Sequence, residues 1–429
     1  MKFFLLFLIS LNGFAVTEFV CNINKATGQD YDTITLWEAA IDDAGDLTDG
    51  SVLTGDWDNQ SGSDIADAAA VTWDTGASSG TLIHMTATQY LIDVASGTLE
   101  NDDTVSDGTN TFDVNGVPDS AILRCDVYDD SNPLVDQVTV SGNTVSATNY
   151  LILSVHSSVR HNGLPGTGLV LDPDDASVSA DGINYGLTYG IIEWFEVTDW
   201  TGYIGFDQRF AITCTADSSG AGVGSTIRHC IIHDNGDDTR DAQHGLGNNR
   251  GNRAHNNLIY DVPGGIGIFI RTTFGADNNY YNNTVYNCSS RDNFAQFFVQ
   301  NGNTGTVHNN VSIDPAGTGD CFSWGNGTIT HDFNVSSDAT ADGANSINSG
   351  DSPAPSGSDF QDPTTTFDFT PVSASAWEDQ GNDLGTSPDQ VNIDLKSRDR
   401  DGEGDTWSMG AIQFVAAAPA DRNRLIFVN

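Results

Sequence analysis

The chain has 429 residues, and its 59 Asp and Glu against 16 Lys and Arg give a formal net charge of −43. Such a surface repels phosphate backbones and anionic lipid, so a nucleic-acid or membrane-surface binder is nearly excluded. Hydrophobic residues reach only 38%, yet 21 Phe, 11 Tyr and 8 Trp are too many for a disordered acidic chain, and the length admits two or three average domains or one elongated repeat domain.

The first residues read as a targeting signal. Met1-Lys2 is a short positive start, Phe3 to Leu11 is an apolar run, and Gly13-Phe14-Ala15 places small residues where a signal peptidase cuts. This predicts a signal peptide over residues 1–15 and an exported, secreted or extracellular chain beginning near Val16. The alternative is a buried first strand or an apolar cap. The run is too short to cross a hydrocarbon core of ~30 Å, and no later stretch is long enough to insert in a membrane, so export leaves a soluble product.

Residues 16–49 read as an N-terminal cap. Phe19-Val20-Cys21-Asn22-Ile23 alternates like a strand, and Thr35 to Ala40 reads as a short helix with Thr33 as its N-cap. Residues 50–225 carry many short alternating runs, such as Gln137-Val138-Thr139-Val140 and Tyr150 to Val155, separated by Gly, Asn and Asp. Six cysteines, at 21, 125, 214, 230, 288 and 321, permit three disulfides in an exported chain, with Cys214–Cys230 the favoured pair. Buried free thiols are the other reading, and with no CxxC pair a zinc site of the usual spacing is not expected.

The decisive pattern follows. Arg228-His229-Cys230-Ile231-Ile232-His233-Asp234 matches His255-Asn256-Asn257-Leu258-Ile259-Tyr260-Asp261. Both match Tyr281-Asn282-Asn283-Thr284-Val285-Tyr286-Asn287 and His308-Asn309-Asn310-Val311-Ser312-Ile313-Asp314, and a weaker copy surrounds His331 to Val335. A repeat of about 27 residues is too short for a helical hairpin. It fits one coil of a parallel β-helix, three short strands joined by turns, in which each coil buries its apolar face only by stacking on its neighbours. Asn257, Asn283 and Asn310 then lie one above another, since an amide both donates and accepts along a stack and Asn tolerates the left-handed turn conformation. Ile232, Ile259 and Val285 form the adjoining inward column.

These coils resemble the right-handed parallel β-helix proteins of the pectin-lyase-like superfamily. Asp30-Tyr31-Asp32-Thr33-Ile34-Thr35-Leu36-Trp37-Glu38-Ala39-Ala40 is similar to the opening segment of many exported and phage-encoded members. Asp359-Phe360, Phe367-Asp368-Phe369-Thr370-Pro371, Asp399-Arg400-Asp401-Gly402 and Ser408-Met409-Gly410-Ala411-Ile412-Gln413 resemble the closing segment of the choice-of-anchor Q domain proteins. That pattern carries an Arg shortly after the Asp-Gly, where this chain has Glu403-Gly404-Asp405. The resemblance implies an all-β, right-handed parallel β-helix solenoid over residues 50–349, behind a short αβ cap and ahead of a closing segment over 350–429. On activity it is nearly silent, because the fold hosts lyases, hydrolases, adhesins and tail spikes.

Residues 228–291 depart from the average charge, holding six of the 13 arginines, six Asp, no Glu and four of the nine histidines. Here Arg240, His244, Arg250, Arg253 and Arg271 could hold a substrate carboxylate and supply a base for a polysaccharide lyase, while Asp237, Asp238 and Asp241 could supply the two carboxylates of a glycoside hydrolase. The bland reading is a solvated coil face on which Arg and Asp pair. Eight aromatics lie between Tyr185 and Phe210, and Trp194, Trp200 and Tyr203 are candidates for a sugar-stacking platform, with core packing as the alternative. Asp399, Asp401 and Asp405 alternate beside glycines and could hold calcium, though as part of the closing segment a tight turn is the favoured reading. Two function classes follow. One is a non-enzymatic extracellular or virion-surface protein, structural or glycan-recognising, of adhesin, decoration or tail-spike type, for which a homo-oligomer is one expected assembly. The other is a polysaccharide lyase or glycoside hydrolase working in a groove along the coils. Any glycan partner is expected to be neutral, or to be met at residues 228–291.

Overall fold

A computed structural model describes residues 17–42, 45–131, 133–173, 181–198, 209–215, 224–234, 243–248, 251–270, 277–288, 295–317, 319–386, 388–401 and 407–414. The proposed signal over residues 1–15 lies outside them. The strand Thr17–Ile23 and the helix Ile34–Ile41 form as expected. Thr33 Oγ1 accepts the Leu36 N–H at 3.2 Å, as an N-cap does, and the Asp136 carboxylate accepts the Ile34 and Thr35 N–H groups at 2.7 and 3.1 Å. Among the described residues no helix is long and apolar enough to cross a membrane.

The chain divides into two compact units. One contains a closed antiparallel barrel, which corrects the expectation that coils begin at residue 50. Its strands are Val52–Ser61, Ala69–Trp73, Ser78–Met85, Gln89–Ser96, Thr104–Ser106 and the first part of Thr111–Val127. Each pairs antiparallel with two others, and the pairing of Val52–Ser61 with both Gln89–Ser96 and residues 111–120 closes the ring. Val71, Trp73, Leu82, Tyr90, Ile92, Val105, Phe112 and Val114 fill the interior. Alternating short strands are common to barrels and coils, so the period-2 pattern did not separate them.

The other unit is built on three parallel sheets that the chain visits in rotation, and these fit a parallel β-helix. The first sheet stacks Leu151–Val155, Gly190–Glu193, Ser225–Arg228, Arg253–His255, Asp277–Tyr281, Thr304–His308 and Thr328–Asp332. The second runs from Leu134–Val135 through Val170–Asp172, Glu196–Thr198, Ile231–His233, Leu258–Tyr260, Thr284–Tyr286 and Val311–Ile313 to Val335–Ser336. The third runs from Val138–Val140 to Phe322–Ser323. The register is the one the repeat predicts: Ile232 pairs with Ile259 and Ile259 with Val285, all three fully buried.

Between the first and second sheets runs an asparagine ladder. Asn257 donates from Nδ2 to Asn283 Oδ1 at 2.9 Å, Asn283 to Asn310 Oδ1 at 2.9 Å, and Asn310 to Asn334 Oδ1 at 3.1 Å. Each Oδ1 also accepts the backbone N–H of the asparagine one coil earlier, and each Nδ2 also reaches a main-chain carbonyl, Ile227, Ala254 or Tyr280. The left-handed conformation falls on the residue before each ladder position, Asn256, Asn282, Asn309 and Phe333, and on His229 one coil earlier, at φ 53–59°. So the paired asparagines divide the work: the first turns the chain and the second stitches the coils.

The closing segment packs on the outer face of the second sheet. Phe360, Phe369, Trp377, Leu395, Met409 and Ile412 bury the outward side chains Ile231, Leu258, Tyr260, Tyr286, Val311 and Val335. The turn residues hold its backbone: His229 Nε2 meets Ile393 O at 2.8 Å, Asn256 and Asn282 donate to Val391 O at 3.1 Å, and Asn309 donates to Asn382 O at 2.8 Å. Fully buried Arg400 donates to the carbonyls of Ser408 and Gly410, at 2.9 and 2.7 Å, and to Asn256 Oδ1 at 3.3 Å. Burial lowers its pKa to about 10, which leaves it charged at neutral pH.

All six cysteines are buried free thiols, so the Cys214–Cys230 pairing is not made. Burial raises both of those thiols, Cys230 to about 12, and suppresses the thiolate that exchange requires. We expect a thiol reagent at pH 8 to find no reactive group in the native chain and six after denaturation; fewer than six would reveal a disulfide. Asn283→Ala should cost roughly 3 kcal/mol, because it strands buried groups of Asn257 and Asn310, whereas Asn282→Gly keeps the left-handed turn, loses one bond and should cost about 1 kcal/mol. Equal denaturation midpoints for the two variants would contradict the ladder's role.

Candidate functional site

Of the arginine-rich cluster, Asp237, Asp238, Arg240, Asp241, Arg250 and Arg271 lie outside the described residues. His244 and Arg253 are described, and they sit on different sheets. His244 is a packing residue, which corrects its candidacy as a substrate contact. It is 2% exposed, lies between the Phe210 and Phe269 rings at 5.2 and 5.5 Å, and accepts the Ile266 N–H on Nδ1 at 3.0 Å. Half-buried Arg253 lies on the first sheet between Thr226 and Asn279.

Trp194 is likewise no platform, being 2% exposed and stacked on His229 at 4.4 Å with the Arg160 guanidinium 4.9 Å from its ring. Trp200 and Tyr203 lie outside the described residues, as does Asp405. The Asp399 and Asp401 carboxylates accept hydrogen bonds inside their own turn, from Asn392 Nδ2 at 3.0 and 3.3 Å, and Asp401 also accepts from Trp407 Nε1 at 3.0 Å.

Among the described residues, two clusters of ionisable groups lie on the outer side of the coils. The first is structural. Glu193 and Arg228 are neighbours on the first sheet, where Arg228 Nη2 and Nε both meet Glu193 Oε2, at 2.7 and 2.8 Å, and Glu193 Oε1 accepts from the Ser154 hydroxyl at 2.9 Å. Burial alone would raise the Glu193 carboxyl, but the charges of Arg228 and Arg160 and the hydrogen bonds from Arg228 and Ser154 leave it lowered. Beside it, burial takes His161 down to about 4 and His229 to about 3, so both are neutral at physiological pH. Arg228 continues to Asp389 of the closing segment at 2.9 Å.

The second cluster has more chemical capacity. Glu196 and His233 project outward from adjacent strands of the second sheet, and Asp234 and Asp261 occupy the left-handed turn position after their strands, at φ 50 and 48°. His233 sits between two carboxylates, with Nε2 2.9 Å from Glu196 Oε1 and Nδ1 2.9 Å from Asp234 Oδ2, and it stacks on Tyr260 at 4.9 Å. Both Glu196 oxygens also accept the Gly166 N–H at 2.8 Å. Burial pushes His233 down, yet the hydrogen bonds and charges of Asp234 and Glu196 outweigh it and hold His233 at about 9. Asp261 is raised by burial and by the Asp234 charge, against hydrogen bonding from Asn287. The arrangement is an exposed carboxylate, Asp234, hydrogen-bonded to the His233 ring, with a second carboxyl, Asp261, of raised pKa on the next coil. The sequence carried these residues as the last two positions of the repeat, but nothing there separates a turn aspartate from a reactive one.

No protein-family model, curated protein or solved structure matches this chain.

The His233 pair fixes a pH dependence. Its folded pKa of about 9 lies above the ordinary 6.5, so the stabilisation is complete below pH 6.5 and is lost as pH rises through 9. The amount is on the order of 3 kcal/mol. We expect wild type to lose stability between pH 6.5 and 9 relative to His233→Gln in urea titrations; parallel curves would count against the ion pair.

Proposed function

We propose that the chain is a right-handed parallel β-helix protein of the pectin-lyase-like type. Its role is that of a non-enzymatic surface module, extracellular or virion-borne, that is structural or recognises glycans. The observation that carries this reading is where the coils place their reactive side chains. Glu193, Arg228, His229, His244 and Arg400 are all buried and spent on holding coils, turns and closing segment together. Right-handedness follows from the strong chiral preference of parallel strand crossovers. The charge of −43 favours a neutral glycan as partner, since screening at physiological salt shortens repulsion of uronates to about 8 Å without abolishing it.

A glycoside hydrolase is the second reading, favoured by Asp234 and Asp261. Neighbouring coils lie about 4.8 Å apart, near the ~5–5.5 Å carboxyl separation of retaining glycosidases. Asp261, with its raised pKa, could act as the acid and Asp234 as the nucleophile.

One experiment separates the two. Wild type, Asp261→Asn and the triple variant Arg240→Ala/Arg250→Ala/Arg253→Ala are incubated with neutral and acidic glycans in calcium-free buffer, and binding, new reducing ends and unsaturated products are measured. We expect neutral-glycan binding without products, and loss in the triple variant of whatever acidic-glycan binding wild type has. Products that disappear with Asp261→Asn would replace the first reading with the second; strong acidic-glycan binding that survives the triple change would refute the arginine assignment.

A further inference from the structure

On the outer face of the first sheet, the register sets Arg253, Asn279, Thr306 and Thr330 in one column, a residue per coil, with Tyr281 in the next column beside Asn279. They alternate with Ala254, Tyr280 and Val307, which point inward and are fully buried. Neighbours in the column are therefore about 4.8 Å apart. Arg253, Asn279, Tyr281 and Thr306 are half-buried and Thr330 is exposed.

Arg253 stands apart from the other arginines. Arg124, Arg160, Arg228 and Arg398 each meet a carboxylate. Among the described residues Arg253 makes no hydrogen bond or ion pair, in a chain with 59 Asp and Glu to choose from. A guanidinium is a fork of donors with no acceptor, and half-burial strips part of its water without supplying a partner. The next coil braces a ring beside it: Tyr281 donates to Asn279 Oδ1 at 3.3 Å, and its hydroxyl also bonds the Thr306 side chain. Burial raises the Tyr281 phenol, while the Thr306 hydrogen bond and the Arg253 charge oppose the rise, so the guanidinium and the phenol feel one another.

We infer that this strip of the first sheet binds a linear glycan laid along the coils, with Arg253 holding one anionic substituent, a sulfate ester or a carboxylate. The guanidinium fork matches a pair of oxygens on either group. The acidic chain repels such a ligand at long range, but screening confines that repulsion to about 8 Å, and within it the unpaired cation decides. A linear glycan advances by about one coil per sugar, so the sugars that follow meet Asn279, Thr306 and Thr330 in turn, and the braced Tyr281 ring offers apolar surface to a pyranose C–H face. A nucleic-acid backbone would need several cations, and among the described residues the strip offers one. This assignment rests on the glycan-recognising reading above and places the acidic-glycan contact at Arg253 on the first sheet.

The test uses the full chain in buffer containing EDTA and measures, by calorimetry at low and at physiological salt, binding to sulfated, uronate and neutral oligosaccharides of equal length. Wild type is compared with Arg253→Gln, with Thr330→Glu, which adds an anion to the exposed end of the strip, and with Thr364→Glu, which adds one to an exposed site on the closing segment. We expect Arg253→Gln to bind the sulfated or uronate arm roughly tenfold to a hundredfold more weakly, the effect of losing charge-assisted hydrogen bonds. Its thermal midpoint should not change, because the guanidinium holds no other group. Thr330→Glu should weaken binding several-fold and Thr364→Glu should not. Binding confined to the sulfated or to the uronate arm, and lost in Arg253→Gln, supports the site and identifies its anion. Acidic-glycan binding that Arg253→Gln leaves intact overturns the site and leaves the glycan reading standing. Loss in Arg253→Gln with none in Thr330→Glu overturns the path along the coils. Equal affinity for the neutral arm overturns the anionic substituent, and wild type that binds no member of the panel overturns both the site and the glycan reading.

Discussion

The coils that carry Asn257, Asn283, Asn310 and Asn334 bury main-chain amides at the corner between the first and second sheets, and the asparagine ladder meets that need. Asn283, Asn310 and Asn334 each take two hydrogen bonds from the asparagine of the coil before, so each of these Oδ1 atoms is filled by that coil. A buried polar network is stabilising only when every member is satisfied. The ladder therefore fixes the register of neighbouring coils: a slip by one residue would bury an unpaired amide and turn each inward isoleucine outward.

The rest of the unit follows from that register. Because each ladder asparagine points inward, the left-handed residue before it points out, and these outward groups form a column of acceptors and donors. The closing segment uses that column as its docking rail, with main-chain carbonyls on His229, Asn256, Asn282 and Asn309 and an apolar sheet pressed on Tyr260 and Tyr286. Arg400 is the costliest piece. Among the described residues this buried guanidinium has no carboxylate in hydrogen-bond range and is held by carbonyl oxygens, which suits a delocalised cation better than it would a lysine.

A chain so acidic can neutralise few of its carboxylates with cations of its own. It places those few where they count: Arg228 on Glu193, Arg398 on Asp394, Lys396 on Asp368 and His233 between Glu196 and Asp234. Several join the coils to the closing segment or anchor that segment internally. Surface carboxylates elsewhere cap turns through N–H groups, as Asp107 and Asp362 do.

The repeat step, the inward column and the stacking of Asn257, Asn283 and Asn310 were legible in the sequence, because a period of about 27 residues allows few architectures and an amide has few ways to be buried. The helix cap at Thr33 was legible for the same local reason. The barrel was not: its strands alternate as coil strands do, and only the direction of pairing, a long-range property, tells them apart. Nor were the roles of Trp194 and His244, since burial depends on what a distant segment covers. Residue types announce chemical capacity, as with Asp234 and Asp261, but whether a carboxylate turns a corner or faces a histidine one coil away is decided by stacking. The sequence by itself determined the coil and its register; tertiary structure alone decided which charged groups were buried, because burial is set by contacts far apart in the chain.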